Sequence, residues 1–321
     1  MMCLKQEINK KYVMIGKSQA MQKVFRLIEK VSKTSSTVHV SGPSGTGKEL
    51  VARNIHYSSP RSGKPFVPVA CSILAGTLLE SELFGHEKGA FTGADKAKAG
   101  KFESANGGTV FLDEVSTLSP ETQIKLLRVL EERQIERVGG NKLMDIDIRV
   151  ISATNEDLEK LVSEGRFRED LLYRLKVIEI QLPSLADRPE DVETLAKSFL
   201  LQFSRESGRP MAGIDSKAME RLLAYQWPGN VRELRNTIER AVVLGEGEVL
   251  KEEYLPANIR GGGDAQAVGT ARDLDAAERK HIEKVLTQTG WNKSRAAKIL
   301  NVSRNRLDRK IKSFGITGPD F

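Results

Sequence analysis

The first residues able to do chemistry are Ser41-Gly42-Pro43-Ser44-Gly45-Thr46-Gly47-Lys48, which follow the β-branched run Thr37-Val38-His39-Val40 and precede a helical pattern from Glu49 to Ile55. Strand, glycine-rich loop and helix in that order form a cradle for phosphate. Backbone N–H groups at a helix N-terminus hold anionic oxygens, and the Lys48 ammonium can reach the β and γ oxygens of a nucleoside triphosphate. Gly42, Ser44, Gly45, Thr46, Gly47 and Lys48 are therefore candidate nucleotide-binding residues. The general motif places Ser or Thr after the lysine to hold Mg²⁺. Here Glu49 stands in that place, so spacing alone leaves the first metal ligand open.

A second pair of chemical groups ends the run Gly107-Gly108-Thr109-Val110-Phe111-Leu112-Asp113-Glu114. Continuous apolar residues suit a strand buried on both faces of a parallel sheet, and its C-terminal end is where such sheets bind ligands. Asp113 is expected to hold Mg²⁺ through water and Glu114 to polarise an attacking water; without the glycine-rich loop the same pair would read as a turn or cap. Another buried-strand pattern, Ile148 to Ala153, leads to Thr154-Asn155. An amide there can orient the water or sense the γ-phosphate, or it can simply close a turn. In Gly165-Arg166-Phe167-Arg168-Glu169-Asp170-Leu171-Leu172-Tyr173-Arg174-Leu175, Arg168 and Arg174 lie six apart on a helical stretch. Two readings stay open for them: donation of positive charge to a neighbouring subunit's nucleotide, or a surface helix paired with Glu169 and Asp170.

Between these groups lies Glu82-Leu-Phe-Gly-His-Glu-Lys-Gly-Ala-Phe-Thr-Gly-Ala94, with the aromatic Phe91 among Gly89, Ala90, Gly93 and Ala94. A packed core would want bulk here and a solvated loop would want polarity, so an apolar tip on a bendable stalk is expected to touch a partner. The alternative is a buried turn whose Phe91 fills a core gap.

The elements that position these groups read as alternating strands and helices, hence an α/β parallel sheet. After Val177-Ile178-Glu179-Ile180 and Leu182-Pro183-Ser184-Leu185 the pattern turns helical over Asp191–Phe203, Ser216–Tyr225 and Val231–Leu244, which suggests a helical lid. Asn230 is the expected N-cap of the last helix. Arg232 falls in its first turn, where a cation opposes the helix dipole, a hint that it is placed for an anion. Residues 261 to 270 read as a flexible linker. Beyond it, Asp275–Thr289 is a helical stripe, and Trp291–Ile311 divides into two short helices with a turn at Asn301, a helix-turn-helix capped by Ser303. Its outer face would carry Arg304, Asn305, Arg306, Arg309 and Lys310, donors suited to bases and phosphates in a major groove. A helical hairpin for protein contact is the alternative, and the basic face favours DNA.

At 321 residues the chain is long enough for roughly two or three domains with a full core. Net charge is +7, and residues 274–321 hold eleven Lys/Arg against five Asp/Glu, so six of those seven charges lie in this small unit. The absence of an apolar run of about 18 residues or of an N-terminal leader pattern points to a cytoplasmic chain with no membrane partner. Two cysteines, Cys3 and Cys71, argue against a disulfide frame or structural zinc.

The combination of motifs resembles the bacterial enhancer-binding activators of sigma-54 RNA polymerase, a branch of the AAA+ ATPases, over residues 12 to 260, with a Fis-type DNA-binding domain beyond. Gly89-Ala-Phe-Thr-Gly-Ala94 matches the hexapeptide that separates this branch from other AAA+ proteins. The resemblance implies an N-terminal extension over 1–11, an α/β nucleotide-binding subdomain over 12–183, a helical lid over 184–258, a linker over 259–273 and the DNA-binding domain over 274–321. It implies ATP and Mg²⁺ at the site, a Gly-Lys-Glu ending that is usual for the family, and Asp113 with Glu114 as the Walker B pair. By the same resemblance Asn155 is the first sensor, Arg168 and Arg174 act in trans, and Arg232 is the second sensor. Gly89 to Ala94 would contact sigma-54, with a second insertion over Gln134–Asp147 packed beneath. The implied partners are the sigma-54 holoenzyme, upstream enhancer DNA, and further copies of the chain in a ring, with hexamer the expected size and a dimer formed through the DNA-binding domain.

Two departures stand out. Ala70, in Pro65-Phe66-Val67-Pro68-Val69-Ala70-Cys71, occupies the place where the family commonly has an asparagine able to hold the Walker B glutamate, so Glu114 is expected to be gated differently or less tightly. Only some eleven residues precede the core, so either a longer chain has been shortened or a separate regulatory protein acts on the ring. Rival readings are a DNA-binding regulator whose ATPase body is only a scaffold, and an AAA+ chaperone or helicase loader, which has no use for the hexapeptide.

Overall fold

The computed structural model describes residues 13–73 and 76–260, together with 282–283, 285–286, 289, 291–299, 304–314 and 316. The expected extension over 1–11, the linker beyond 260, and Ser303 lie outside the described residues. Two compact units divide the chain, Met1–Gly262 and Gly263–Phe321.

The first unit opens with α1 (Gln19–Ser32), whose N-cap Ser18 accepts a hydrogen bond from the Met21 N–H and whose buried Met21, Val24, Ile28 and Val31 form one apolar stripe. Then follow β1 (Val38–Ser41), α2 (Lys48–Tyr57), β2 (Phe66–Ala70), α3 (Thr77–Phe84), a short antiparallel pair β3 (Gly85–His86) and β4 (Lys98–Ala99), and α4 (Lys101–Ser104). Next come β5 (Thr109–Asp113) and α5 (Pro120–Glu132), the latter started by Ser119 as N-cap with proline in its first turn. A second antiparallel pair, β6 (Gln134–Glu136) and β7 (Leu143–Asp145), precedes β8 (Arg149–Thr154), α6 (Leu158–Ser163), α7 (Glu169–Leu175) and β9 (Ile178–Gln181).

The main sheet has five parallel strands in the order β2-β5-β8-β1-β9. The central strands β5 and β8 are buried on both faces, which explains their mainly apolar and β-branched sequences, with Arg149 and Ser152 as buried polar exceptions in β8. Pro68 cannot donate to a ladder and is tolerated because β2 is an edge. Helices cover both faces with separate cores, one around Phe102, Val110, Leu112 and Val150, the other around Val40, Ile55, Phe111 and Ile151. The register sets Ala70 beside Asp113, and Ser41 beside Thr154. The ends of β1, β5 and β8 therefore meet at one rim, as the sequence motifs require.

The lid is built from α8 (Pro189–Ser207), β10 (Gly213–Ile214), α9 (Ser216–Ala224), α10 (Asn230–Leu244), β11 (Val249–Leu250) and α11 (Ala257–Arg260). Trp227 is its largest fully buried side chain, with its indole N–H donating to the Leu222 carbonyl at 2.9 Å. In the second unit α12 (Lys293–Ile299) and α13 (Arg304–Ser313) share one core that includes Val285, Leu286, Ala296, Ala297, Leu307 and Ile311. The small Ala296 and Ala297 are buried and leave room for the two helices to lie close. Among the described residues no helix is long and apolar enough to cross a membrane.

Candidate functional site

The glycine-rich loop turns between β1 and α2, with Gly42, Gly45 and Gly47 all at positive φ. Gly47 stands at the N-cap of α2 in the left-handed region, so the first N–H groups of the helix have no side-chain cap and are left for an anion. Lys48 does not stand free. Its Nζ donates to the Gly42 carbonyl at 2.8 Å and to the Pro43 carbonyl at 3.3 Å, while Thr46 Oγ1 donates to the Pro43 carbonyl at 2.8 Å. Glu49, a candidate ligand by position, pairs with Arg53 one turn along at 2.6 Å.

Asp113 ends β5 half-buried, and burial pushes its carboxyl up, with Lys48 opposing that shift. The same burial pulls the Lys48 ammonium down, opposed by Asp113 and Glu114. Each charge is thus under-hydrated and partly dependent on the other. Glu114 follows at φ 57 and ψ 49, a left-handed conformation uncommon for glutamate, with its N–H donating to Asp113 Oδ1 at 3.1 Å. Its side chain makes no cap hydrogen bond to the short helical turn that follows. Beside it, Cys71 is buried and its thiol is pushed up to about 12, first by burial and then by Asp113 and Glu114. Asn155 lies exposed just past the end of β8, while the preceding Thr154 is fixed by its hydroxyl donating to Ser116 Oγ at 3.1 Å.

The lid meets the loop directly. Arg232 donates from its guanidinium to Ser44 Oγ at 3.2 Å and from its backbone N–H to the Gly45 carbonyl at 3.2 Å. Gly45, at φ 78, lies so close to the Gly229 carbonyl that a Cβ there would collide with it. Asn230 is not the expected N-cap: α10 begins at this residue, and the preceding Gly229 provides no side-chain cap. The Asn230 amide is instead buried, accepting from the Leu185 N–H at 2.7 Å and donating to the Ser44 carbonyl at 2.9 Å. A side chain engaged with distant segments cannot also bend back to cap its own helix.

Arg168 and Arg174 are exposed, and each is engaged within its own chain. Arg168 lies at the N-cap of α7, one residue short of the helix, and forks onto Asp170; Arg174, inside the helix, donates to Glu131 at 3.0 Å. Tyr173, between them, is also exposed.

The hexapeptide turn caps the β3–β4 stalk. Gly89 N–H donates to the Ala94 carbonyl at 2.8 Å and Ala94 N–H to the Phe91 carbonyl at 3.0 Å, closing the turn. Thr92 and Gly93 are exposed, Ala94 is buried, and Ala90 is half-buried. Phe91 neither stands out as an apolar tip nor enters the core. It is half-buried, edge-on to the His86 ring with centroids 5.0 Å apart, and His86 is held by Ser81 Oγ at 2.6 Å. The β6–β7 insertion packs on the same stalk: Glu87 N–H donates to the Val138 carbonyl at 3.0 Å, Val138 N–H to the Gly85 carbonyl at 2.9 Å, and a Cβ on Gly139 would come within 2.8 Å of Ala90. Arg137, in that insertion, pairs with Glu87 at 3.1 Å and with Glu103 of α4 at 2.8 Å. His86, Glu103 and Arg137 escaped the sequence reading. Only their nearness to the glycine-rich stretch and to Gly139-Gly140 could have drawn attention to them.

In the second unit Arg304 is exposed at the start of α13, and Lys310 lies over the Phe314 ring at 5.5 Å. The side chains of Asn305, Arg306 and Arg309 lie outside the described residues.

Three family models match successive stretches of the chain. Residues 14–181 match the Sigma-54 interaction domain family, residues 186–272 the AAA+ ATPase lid domain, and residues 274–314 the Bacterial regulatory protein, Fis family. Transcriptional regulatory protein ZraR of Escherichia coli (strain K12) is 48% identical over 301 residues, covering 93% of this chain and 68% of its own length. Regulatory protein AtoC of the same strain is 46% identical over 312 residues, covering 94% and 68%. The crystal structure of NtrX from Brucella abortus in complex with ATP superimposes with a TM-score of 0.73 at 38% identity, covering 98% of this chain and 72% of that one.

Proposed function

The chain belongs to the sigma-54-dependent transcriptional activators, with an AAA+ core and a Fis-type helix-turn-helix, and from that membership we propose that it binds upstream DNA and hydrolyses ATP to remodel the closed promoter complex of sigma-54 RNA polymerase through Gly89–Ala94. The observation that carries the proposal is the meeting of Lys48, Asp113 and Glu114 at one sheet rim, in the chain whose β3–β4 stalk bears the intact hexapeptide. The ATP and ADP complexes of NtrX from Brucella abortus lend support to the nucleotide.

In this reading the loop N–H groups and Lys48 bind the β and γ phosphates, and Arg232 adds positive charge from the lid. Glu114 orients water for in-line attack on the γ-phosphorus; the bond to the ADP oxygen breaks, giving ADP and phosphate. Asn155, exposed at the neighbouring strand end, senses the phosphate. Arg168 and Arg174 neutralise charge at the next subunit's nucleotide in a ring, of which a hexamer is the size we favour. Asp113 suits Mg²⁺: its under-hydrated carboxyl gains from a cation, and the scarcity of other ligands fits a metal held by one or two carboxylates plus phosphates. Among the described residues no cluster of three or more His, Cys, Asp or Glu side chains could hold a metal without a nucleotide. When bound, Mg²⁺ would supply charge neutralisation between the β and γ oxygens. Residues 274–321, with Arg304 and Lys310 among their cations, would dock as a dimer on enhancer DNA, consistent with the charge concentrated there.

The test is twofold: steady-state ATPase activity as a function of protein concentration, and capture of sigma-54 in the presence of a transition-state analogue of ATP. Activity that rises steeply with concentration, with sigma-54 retained only with the analogue, is expected. A protein that binds DNA yet neither hydrolyses ATP nor retains sigma-54 refutes the proposal. Thr92→Ala should keep hydrolysis within about threefold and abolish promoter opening, since Thr92 is exposed at the tip of the turn.

A further inference from the structure

We propose that Asn230 is a positioning residue through which the lid presets the hydrogen-bond donors of the phosphate loop, so that phosphates are held tightly only while the lid is docked. The inference rests on the nucleotide site described above and adds to it a residue with no direct reach to the ligand.

A trans peptide unit points its C=O and its N–H in opposite directions, so whatever holds the carbonyl also aims the N–H. Four successive carbonyls of the loop are held. Gly42 and Pro43 accept from Lys48 Nζ, and Pro43 also from Thr46 Oγ1, all within the loop and its helix. Ser44 and Gly45 accept from the lid, through Asn230 Nδ2 at 2.9 Å and Arg232 N–H at 3.2 Å. The peptide units anchored by the lid carry the Gly45 and Thr46 N–H groups. With their carbonyls turned to the lid, those N–H groups face the other way, as an anion cradle needs.

Asn230 is built for this hold. Its amide orientation is fixed by chemistry, because the Leu185 N–H can only donate and the Ser44 carbonyl can only accept. Nδ2 also lies 3.4 Å from the Pro228 carbonyl, so one side chain joins the segment leaving β9, the phosphate loop and the lid loop. Its backbone sits at φ 53, in the left-handed region that asparagine tolerates better than other side-chain-bearing residues. It is 3% exposed, so the amide pays for burial only if these bonds are made. Arg232 is the charge the lid delivers; Asn230 is the reason the loop is shaped to receive phosphate. A lid that swings away after hydrolysis releases the Ser44 carbonyl and weakens the cradle, which favours product departure.

The test compares ADP with adenosine on the full chain. Asn230→Asp keeps the size of the side chain and the acceptor for Leu185 but turns a carboxylate oxygen on the Ser44 carbonyl. Asn230→Gly removes the amide while accepting the left-handed backbone. Binding is read by calorimetry for ADP and by ligand-observed NMR for adenosine, with a thermal melt for folding. The dissociation constant for ADP is expected to rise about tenfold or more in Asn230→Asp and less in Asn230→Gly, with adenosine within about twofold of wild type. If Asn230→Asp does not fold, Asn230→Gly is judged by whether its loss is confined to ADP. Equal loss for both ligands, as from a merely loosened lid, or no loss for either, overturns the role of Asn230. A wild-type chain that binds no ADP removes the nucleotide reading itself, which is a different result.

Discussion

Lys48 and Asp113 are both partly buried at one rim and each steadies the other's charge electrostatically, so the removal of one leaves the other with more of the cost of burial. Lys48→Ala is expected to lower kcat/KM for ATP by about 10²-fold or more, measured by steady-state hydrolysis; a loss below threefold would remove Lys48 from the site. Ala70, abreast of Asp113 on the edge strand, offers Glu114 no side-chain hydrogen bond. Ala70→Asn should therefore lower basal turnover severalfold and make it more dependent on the neighbouring subunit; unchanged basal turnover and unchanged coupling to promoter opening would count against looser gating. Away from the site, His39 and His56 are buried, bonded through Nδ1 to Ser152 and Thr109, and burial lowers each from the ordinary 6.5 to about 4. Unfolded imidazoles take up protons near 6.5 and folded ones resist until about 4, so stability present above pH 6.5 is lost as pH falls through that window. The loss is of the order of 3 kcal/mol for each residue, set by the size of the shift. Urea melts at pH 7.5 and 5 should show it; equal midpoints would mean the imidazoles are protonated in the fold.

The hexapeptide turn, its β3–β4 stalk and the β6–β7 insertion move or stay together because they share backbone hydrogen bonds and the Arg137 link to Glu87 and Glu103. That link keeps Glu103 ionised: the hydrogen bond from Arg137 holds its carboxyl below the usual range. Gly139 sits at φ 76 with Ala90 beside it, so Gly139→Ala meets both a left-handed backbone, costing about 1–2 kcal/mol, and a collision. The variant is expected to hydrolyse ATP within about twofold of wild type and to lose most promoter opening, measured in parallel; equal loss of both would place the insertion inside the hydrolytic site. Elements of this kind differ in how well the sequence announces them. The strands ending at Ser41, Asp113 and Thr154 were legible because burial on both faces favours apolar and β-branched residues, even though His39, Arg149 and Ser152 interrupt two of them. The seat of Phe91 on His86 was not, since it depends on a turn bringing residues five apart into ring contact, and no periodicity encodes that. Asn230 was misassigned for a related reason: Gly-Asn before a helix is a strong local capping signal, and tertiary bonds to Leu185 and Ser44 override it.

For the whole molecule, separation into two units predicts that residues 1–262 retain nucleotide hydrolysis when residues 263–321 are removed, while DNA binding is lost. A truncated chain that fails to hydrolyse ATP at any concentration would show that the second unit is needed to assemble the first. In the proposed ring, Arg174→Ala would keep its own nucleotide site and Lys48→Ala its arginines, so each should be nearly inactive alone and mixing should restore part of the activity. Mixed assemblies verified by mass yet inactive at every ratio would rule out action in trans. Arg168 and Arg174 also bear on assembly itself, because in a single chain they are already occupied by Asp170 and Glu131. On the proposed trans role, those carboxylates compete for the cations that a neighbour's nucleotide would recruit. Exposed pairs of this kind are weak, so neutralising one should shift an assembly threshold only modestly. Asp170→Asn should then switch on hydrolysis at a lower protein concentration than the native chain. On the proposed assembly, the concentration at which subunits begin to work together would be set partly by the acids beside the arginines, and it should fall, not rise, when one of those acids is removed.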